Sequence, residues 1–429
     1  LLTSMPRASR RLFNLFGQSD YLSRIFLRHP ELLDALVQAQ FDEVHKSSEQ
    51  IRQELAVRLA RHVEPEARHA EMPRFKNEEL LRIGLNDISG DLSVQQVASQ
   101  LTAVADAVLD ECLFLALEEQ RERYGLPLDA HGQREGLVVI AMGKLGGYEL
   151  GYHSDLDLIF AYSGDGQEDT SGGSRGTITH HEYFAKVVQR LMTLLTVQLR
   201  EGHLYKIDAR LRPSGNQGAL VVSLDTLREH HQKRAQLWER QALIKARPAA
   251  GDATRFDALR EQVLIPLVYE RPLPPDAARE IDRLRTRMER ELAHENAWQL
   301  NPKLGQGGLV DVEFTVQYLQ LLHGREHPQV RETNTLLALE GLLLEGCISP
   351  EDAETLRQGY LFLRRVENRL RLVHASSLAH MPTSGRPLAL LARRLGVLGP
   401  EPGETFLVDY RASAVRVRDV YARVLRARH

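Results

Sequence analysis

Apolar positions divide the chain into three textures. Over the first 130 residues they recur every three to four places: Tyr21, Ile25, Phe26, Leu32, Leu33 and Leu36 form one stripe. Val97, Leu101, Val104, Val108, Leu109, Cys112, Leu113 and Ala116 form another. That period predicts amphipathic helices, the second running over 93–124. Ser93 is its expected N-cap, because a serine hydroxyl accepts from a free first-turn amide, and Gly125 its expected stop. From about 136 to 250 the pattern shortens, and apolar runs at 137–142, 156–162, 204–211 and 219–223 predict strands. A helix at about 180–200 carries Phe184, Val187, Val188, Leu191 and Leu195. Between strands, the glycine-rich stretch SGDGQEDTSGGSRG (163–176) has too little apolar content to pack and predicts a mobile loop. Beyond Pro272, Pro274 and Pro275 the helical spacing returns. Asp276 is expected to cap a helix with the stripe Ile281, Leu284, Met288 and Leu292, and further helices follow at about 309–323, 333–346, 350–374, 386–395 and 404–427.

These textures predict an α+β fold: an N-terminal helical region at 1–130, a mixed domain at 131–250 and a C-terminal helical bundle at 275–429. Composition changes the picture little. Apolar residues make up 43% and charged residues 26%, as in an ordinary globular protein, and no apolar run approaches the roughly 20 residues that span a bilayer. The net charge of −3 argues against a dedicated nucleic-acid binder. Cys112 and Cys347 are the only cysteines, too few for a disulfide framework, so a reducing cytoplasm and buried thiols are expected. The N-terminus lacks the apolar core of a secretory signal, and Leu rather than Met at position 1 fits a fragment of a longer chain.

The chemistry concentrates in GKLGGYELGYHSDLDLIFAY, residues 143–162. Gly143, Gly146 and Gly147 interrupt the chain after the first strand, and glycine allows backbone amides to approach a phosphate. In a strand, Asp155 and Asp157 project from one face, their Cα atoms roughly 6–7 Å apart. A lone D-x-D is more often a solvated edge. Two acids on an otherwise apolar strand (Leu156, Leu158, Ile159, Phe160) are costly without partners, and divalent cations are suitable ones. A second block, LYKIDARLRPSG (204–215), alternates Tyr205, Ile207, Ala209 and Leu211 with Lys206, Asp208, Arg210 and Arg212. Alone it reads equally well as a self-compensated exposed strand. Beside the D-x-D it supplies a third carboxylate, Asp208, and two guanidinium groups suited to phosphate. A third block, 238–247, holds Arg240, Lys245 and Arg247, as apt to be a solvated basic helix end as a nucleotide contact.

Taken together, G-K-L-G-G-x-E-L-G-Y-x-S-D-L-D-L, D-A-R-L-R-P-S-G-x-x-G-x-L-V (208–221) and the block W-E-x-Q-A-L-x-x-A-R (238–247) resemble the glutamine synthetase adenylyltransferase family. So do GGLVDVEFTVQYLQL (307–321) and SDYLSRIFLRHPELLD (19–34). The resemblance spans nearly the whole chain. It implies a DNA-polymerase-β-like nucleotidyltransferase domain with a mixed sheet, flanked by helical domains. It also implies two Mg²⁺ ions on Asp155, Asp157 and Asp208, with ATP as substrate. Gly146, Gly147 and Ser154 would cradle the triphosphate, and Lys144, Arg210, Arg212, Lys245 and Arg247 would stand near its phosphates. Members join two similar halves, one attaching AMP to a tyrosine of glutamine synthetase and one removing it by phosphorolysis. Glu149-Leu150-Gly151-Tyr152 and Asp208-Ala209-Arg210 match the attaching half. Implied partners are glutamine synthetase, a PII-type signalling protein and the other half of the enzyme, with no membrane and no nucleic acid. Left open are the removing activity and a different acceptor.

Three features are set aside as decoys. Asp311 and Glu313, two apart on a helix, point about 200° away from each other and cannot easily share a metal. Thr179-His180-His181-Glu182 lacks zinc-protease spacing and suits a helix cap. The arginines at 364, 365, 369 and 371, and at 416, 418, 423, 426 and 428, lie among apolar stripes and read as solvated helix faces or a docking surface for another domain.

Overall fold

The computed structural model describes residues 6–28, 43–374 and 380–426. Leu32, Leu33, Leu36 and Arg428 lie outside the described residues. At the centre is a five-stranded mixed sheet of β1 (Leu137–Ala141), β2 (Leu156–Tyr162), β3 (Ile207–Asp208), β4 (Val221–Ser223) and β5 (Arg247–Gly251). β1 is antiparallel to both β2 and β5, while β3 and β4 lie one after the other along the far side of β2, parallel to it.

Both faces of β1 and β2 are buried, so their apolar runs are nearly continuous rather than alternating. Leu137, Val139, Ala141, Leu156, Leu158, Phe160 and Tyr162 join a core with the helices Pro65–Ser89, Val94–Tyr124 and His180–Thr196. Val138, Ile140, Ile159, Ala161 and Val222 join a second core with Leu237, Ile244, Phe256, Ile281 and Tyr421. A third core lies among the helices Leu309–His323, Thr335–Leu344, Pro350–His374, Gly385–Arg394 and Pro402–Leu425. Each fully buried aliphatic or aromatic side chain contributes about 1.5–3 kcal/mol, which makes the sheet a stiff platform.

Local signals explain most element ends. Ser93 caps the long helix through a reciprocal pair with Gln96, and Gly125 ends it. Thr179 accepts from the Glu182 amide at 3.2 Å, so that segment is a helix cap, as its spacing suggested. Other expectations need correction. Asp276 occupies the N-cap position of Ala277–Leu292 but makes no side-chain cap, and Leu292 is exposed while Arg285 is buried instead. The run 204–211 shortens to a two-residue strand. The Asp208 carboxylate accepts the Arg210 amide at 3.0 Å, an Asx turn that ends the ladder. Residues 219–223 likewise pair only from Val221. β5 falls where a helix was expected to run on through 247, because a 3₁₀ turn at Leu243–Lys245 redirects the chain into the sheet.

The glycine-rich loop is not free. The amides of Gly172, Ser174 and Arg175 donate to the carbonyls of Tyr124, Glu122 and Arg123 at 3.1, 3.0 and 2.7 Å, satisfying the last carbonyls of the long helix. Gly173 permits this approach, since a Cβ there would stand 2.7 Å from the Arg123 carbonyl carbon. We expect slowed hydrogen exchange at the amides of 172, 174 and 175. Gly173→Ala should remove that protection and cost about 1–3 kcal/mol by chemical denaturation; exchange at random-coil rates in the wild-type chain would contradict the docked loop.

Candidate active site

The register of one strand pair assembles the acids. Leu156 pairs with Ile207 and Asp157 with Asp208 on parallel neighbours, so the two carboxylates rise from the same face. Adjacent strands lie about 4.7–4.9 Å apart, and like charges directly opposite repel. Asp155, two residues before Asp157, is exposed at the entrance to β2. Asp157 and Asp208 are therefore brought side by side at one edge of the sheet. Asp155 stands near enough for its charge to act on Asp157, although among the described residues the three carboxylates do not all lie within 4.8 Å of one another.

Their electrostatics differ. Burial, then the charge of Asp208, pushes the Asp157 carboxyl up to about 6, with Asp155 adding to the rise and Lys303 and Arg210 opposing it. Asp208 is held below the ordinary carboxylate range, first by its hydrogen bonds from Arg210. The Arg210 Nε donates to both carboxylate oxygens at 2.9 Å, and its Nη2 also pairs with Asp208. Among the described residues, the carboxylates of Asp155 and Asp157 receive no hydrogen bond or ion pair. Gly143 completes the cradle: at φ +53°, a Cβ there would stand 2.3 Å from Asp157 Oδ2. Two unpartnered acids, a third held by one exposed guanidinium and a glycine floor fit hard divalent cations such as Mg²⁺.

The other expected contacts mostly go elsewhere. Lys144 pairs with Glu313 and donates to the Tyr360 hydroxyl at 3.2 Å. Lys245 donates to Glu149 Oε2 at 3.2 Å, to the Thr333 carbonyl at 2.5 Å and to Thr335 Oγ1 at 2.9 Å. Arg247 is buried against Asp106 at 3.0 Å and the Leu145 carbonyl at 2.9 Å, stacked on Tyr148. Arg212 staples its own turn through the carbonyls of Ala209, Asn216 and Gly218. Gly146 serves packing, because a Cβ there would stand 1.9 Å from the Lys245 carbonyl oxygen. A Cβ on Gly147 would meet Glu149 Oε2 at 2.7 Å. Ser154 stands beside Asp155, but its hydroxyl already accepts from the Gly151 amide at 3.1 Å and Arg371 Nη1 at 2.9 Å. Of the expected phosphate-binding cations, Arg210 alone hydrogen-bonds one of the acids among the described residues, while Arg212 acts on Asp208 only through its charge.

What the sequence reading missed is the frame behind them. Glu149 is buried and accepts from the Thr335 amide at 2.6 Å and from Lys245, with Lys144 at 3.6 Å. Burial acts to raise its carboxyl, but Lys245 and Lys144 outweigh it and hold the group well below the usual range. Arg364 donates to the carbonyls of Glu149 and Leu150 at 2.6 and 3.2 Å, and Arg371 to that of Tyr152 at 2.9 Å. Arg364, Arg369 and Arg371 are buried and follow the second of the two expected readings, a docking surface. They grip Glu149, Leu150, Tyr152 and Asp87 in other regions, while Arg365 and Arg416 are exposed helix faces. Asp311 pairs with Arg285 at 2.5 Å and Arg418 at 3.0 Å, well apart from Glu313 in its role. Lys303, just before the Leu309–His323 helix, is an exposed ammonium whose field reaches Asp157, and no motif reasoning had selected it.

Comparison with known proteins adds the family context. Residues 9–262 match the family described as GlnE, glutamate-ammonia ligase adenylyltransferase. Residues 276–425 match one described as GlnD PII-uridylyltransferase. Curated relatives include bifunctional glutamine synthetase adenylyltransferase/adenylyl-removing enzymes. That of Pseudomonas aeruginosa is 35% identical over 92% of this chain and 42% of its own length. Those of Pasteurella multocida and Pseudomonas syringae pv. tomato are 35% and 36% identical over 87% of this chain, covering 38% and 39% of their own lengths. The chain thus spans about two fifths of the relatives it matches. Among the described residues no helix is long and apolar enough to cross a membrane.

Two outcomes follow from this geometry. Asp157 titrates near 3.8 when unperturbed and at about 6 in the fold, so the native chain binds the extra proton across that window. Stability of the metal-free chain should therefore fall as pH rises from about 4 to about 6, and Asp157→Asn should abolish most of that decline in urea-denaturation midpoints. Equal pH slopes in the two chains would rule out the assignment. Gly143→Ala should displace the Asp157 carboxylate and lower catalytic turnover by about 100-fold, while costing only about 1–3 kcal/mol of stability.

Proposed function

The chain belongs to the glutamate-ammonia ligase adenylyltransferase family, and from that premise we propose that it transfers AMP from ATP to a tyrosine hydroxyl of glutamine synthetase, releasing pyrophosphate. The observation that carries this reading is the pairing of Asp157 opposite Asp208, with Asp155 close enough to act on Asp157 and, among the described residues, no cation but Arg210 hydrogen-bonded to the three. Such an arrangement suits nucleotidyl transfer. In this reading residues 131–250 are the catalytic unit, and the helical regions at 1–130 and 275–429 flank it.

Two Mg²⁺ ions on Asp155, Asp157 and Asp208 would supply charge neutralisation at the attacking and leaving oxygens of an in-line displacement. The chain's own groups do the rest. A tyrosine hydroxyl has a pKa near ~10 and must pass its proton to solvent as its oxygen bonds the α-phosphorus and the bond to pyrophosphate breaks. Asp208, kept ionised by Arg210, accepts a hydrogen bond from that hydroxyl and orients it. Arg210 is 71% exposed at its side chain, so it turns from Asp208 toward the departing pyrophosphate with little rearrangement. Lys303 adds a second exposed cation on the same side. Lys144, Lys245 and Arg247 act at one remove, by holding the loop that carries the acids. Ser154 and the Gly146–Gly147 turn likewise position this loop.

Glu149-Leu150-Gly151-Tyr152 and Asp208-Ala209-Arg210 support the attaching half of the bifunctional relatives over the removing half. The Tyr152 hydroxyl donates to Asp87 at 3.0 Å, so this motif tyrosine anchors the loop to a neighbouring helix. Large helical flanks suit a protein acceptor better than a small molecule, and the net charge of −3 disfavours nucleic acid. A PII-type signalling protein and the other half of the full-length enzyme complete the proposed partners. The match of 276–425 to a PII-uridylyltransferase family supports a role for the C-terminal helices in that signalling. Two unpaired cysteines accord with a reducing, cytoplasmic setting.

Incubation with glutamine synthetase, Mg²⁺ and α-labelled ATP should label the synthetase. Asp155→Asn and Asp157→Asn should each lower that labelling by about 10²–10³-fold or more, with circular dichroism unchanged. Labelled ADP formed from adenylylated synthetase and phosphate would reassign the chain to the removing half, and wild-type rates in both variants would refute the metal-binding role.

A further inference from the structure

Glu239 lies in the W-E-x-Q-A-L block, yet the proposed transfer reaction does not use it. The helix Leu224–Lys233 delivers His230 and His231 toward it across a short connection, and Glu239 sits in the first turn of the next helix, Leu237–Ala242. One ligand-capable atom from each of the three lies within 4.8 Å of the others. We propose that His230, His231 and Glu239 bind one borderline transition-metal ion, zinc(II) in the first instance, apart from the catalytic acids.

Three observations carry this. His231 is 2% exposed, and neither ring nitrogen has a hydrogen-bond partner among the described residues. Burying an unsatisfied polar atom costs about 1–3 kcal/mol, and a coordinated ion removes that cost at one nitrogen. The rings of His230 and His231 stand 5.1 Å apart between centroids at 84°. Two imidazoles on one tetrahedral ion, with Zn–N of about 2.0–2.1 Å, have centroids roughly 5 Å apart. Glu239 is oriented on both sides. Its Oε1 meets His230 Nε2 at 2.7 Å, and its Oε2 accepts the Gln236 amide at 2.8 Å, an outer contact of the kind that steers ligating carboxylates.

Two nitrogens and one carboxylate oxygen leave a fourth position for water. Binding forms two metal–nitrogen bonds and one metal–oxygen bond, and any proton held between His230 and Glu239 passes to solvent. The ion would tie the end of the helix after β4 to the start of the segment that leads through Lys245 into β5. His327 and Glu345 form a similar pair at 2.6 Å, but they are not part of any three-ligand cluster among the described residues. They provide an internal control.

The test is titration of the chelator-treated chain with Zn²⁺ against a chromophoric competitor, in excess Mg²⁺ to occupy the catalytic acids. A parallel Co²⁺ titration is followed in the visible spectrum. One ion per chain and the intense d–d bands of tetrahedral Co²⁺ are expected. His230→Gln, His231→Gln and Glu239→Gln should each weaken binding at least about tenfold, the loss that removal of an outer-shell partner alone produces. His327→Gln should leave it unchanged. His230 is partly exposed, so His230→Gln keeps the test valid should the buried His231 variant misfold. Wild-type chain that binds no stoichiometric Zn²⁺, or binding that survives both His230→Gln and Glu239→Gln, overturns the site.

Discussion

Three carboxylates must be held on one edge of a sheet although they repel one another, and much of the structure is arranged to withstand that repulsion. The hydrogen-bonded register of β2 against β3 sets Asp157 opposite Asp208. A one-residue slip would turn one of them to the other face. The register is stiff because Leu156, Leu158 and Phe160 are locked into one core and Ile159 and Ala161 into another. Burial that raises the Asp157 carboxyl is thus the price of holding it in a fixed register beside Asp208.

A second layer of charge stands behind the first. Glu149 binds two ammonium groups and a helix-start amide, and Arg364 and Arg371 grip the backbone that runs from Glu149 to Ser154. The contacts of Thr335, Arg364 and Arg371 join this loop to helices beyond residue 330. Ion pairs buried this deeply add little net stability, but breaking one partner is costly, so they act as geometric constraints. Movement of the C-terminal helices is therefore coupled, through fixed hydrogen bonds, to the loop that presents Asp155.

The sequence disclosed the elements better than the contacts. Long periodic stripes made the helix Val94–Tyr124 and its Ser93 cap legible, and the D-x-D on an apolar run marked the acids. The strand at 247–251 was hidden because Arg247, Pro248 and two alanines carry no β signal; pairing with β1 decides it. The basic residues misled for a general reason. A lysine or arginine beside a glycine-rich motif looks equally apt for a phosphate or for a buried carboxylate, and the carboxylates Glu313, Glu149 and Asp106 lie at distances no local pattern reveals. Gly143 was visible as a chain break, but its contact with Asp157 depends on the strand's course.

Arg210 deserves a different description once the acids are seen together. It is a resident counter-ion: Asp208 already holds one positive charge, supplied from within the chain. Under the proposed reading, metal uptake would be an exchange rather than an addition, and the guanidinium it displaced would be free to meet a polyanion on the same side. Occupancy by the cation and readiness for the nucleotide would rise together, which makes ordered assembly a property of one side chain.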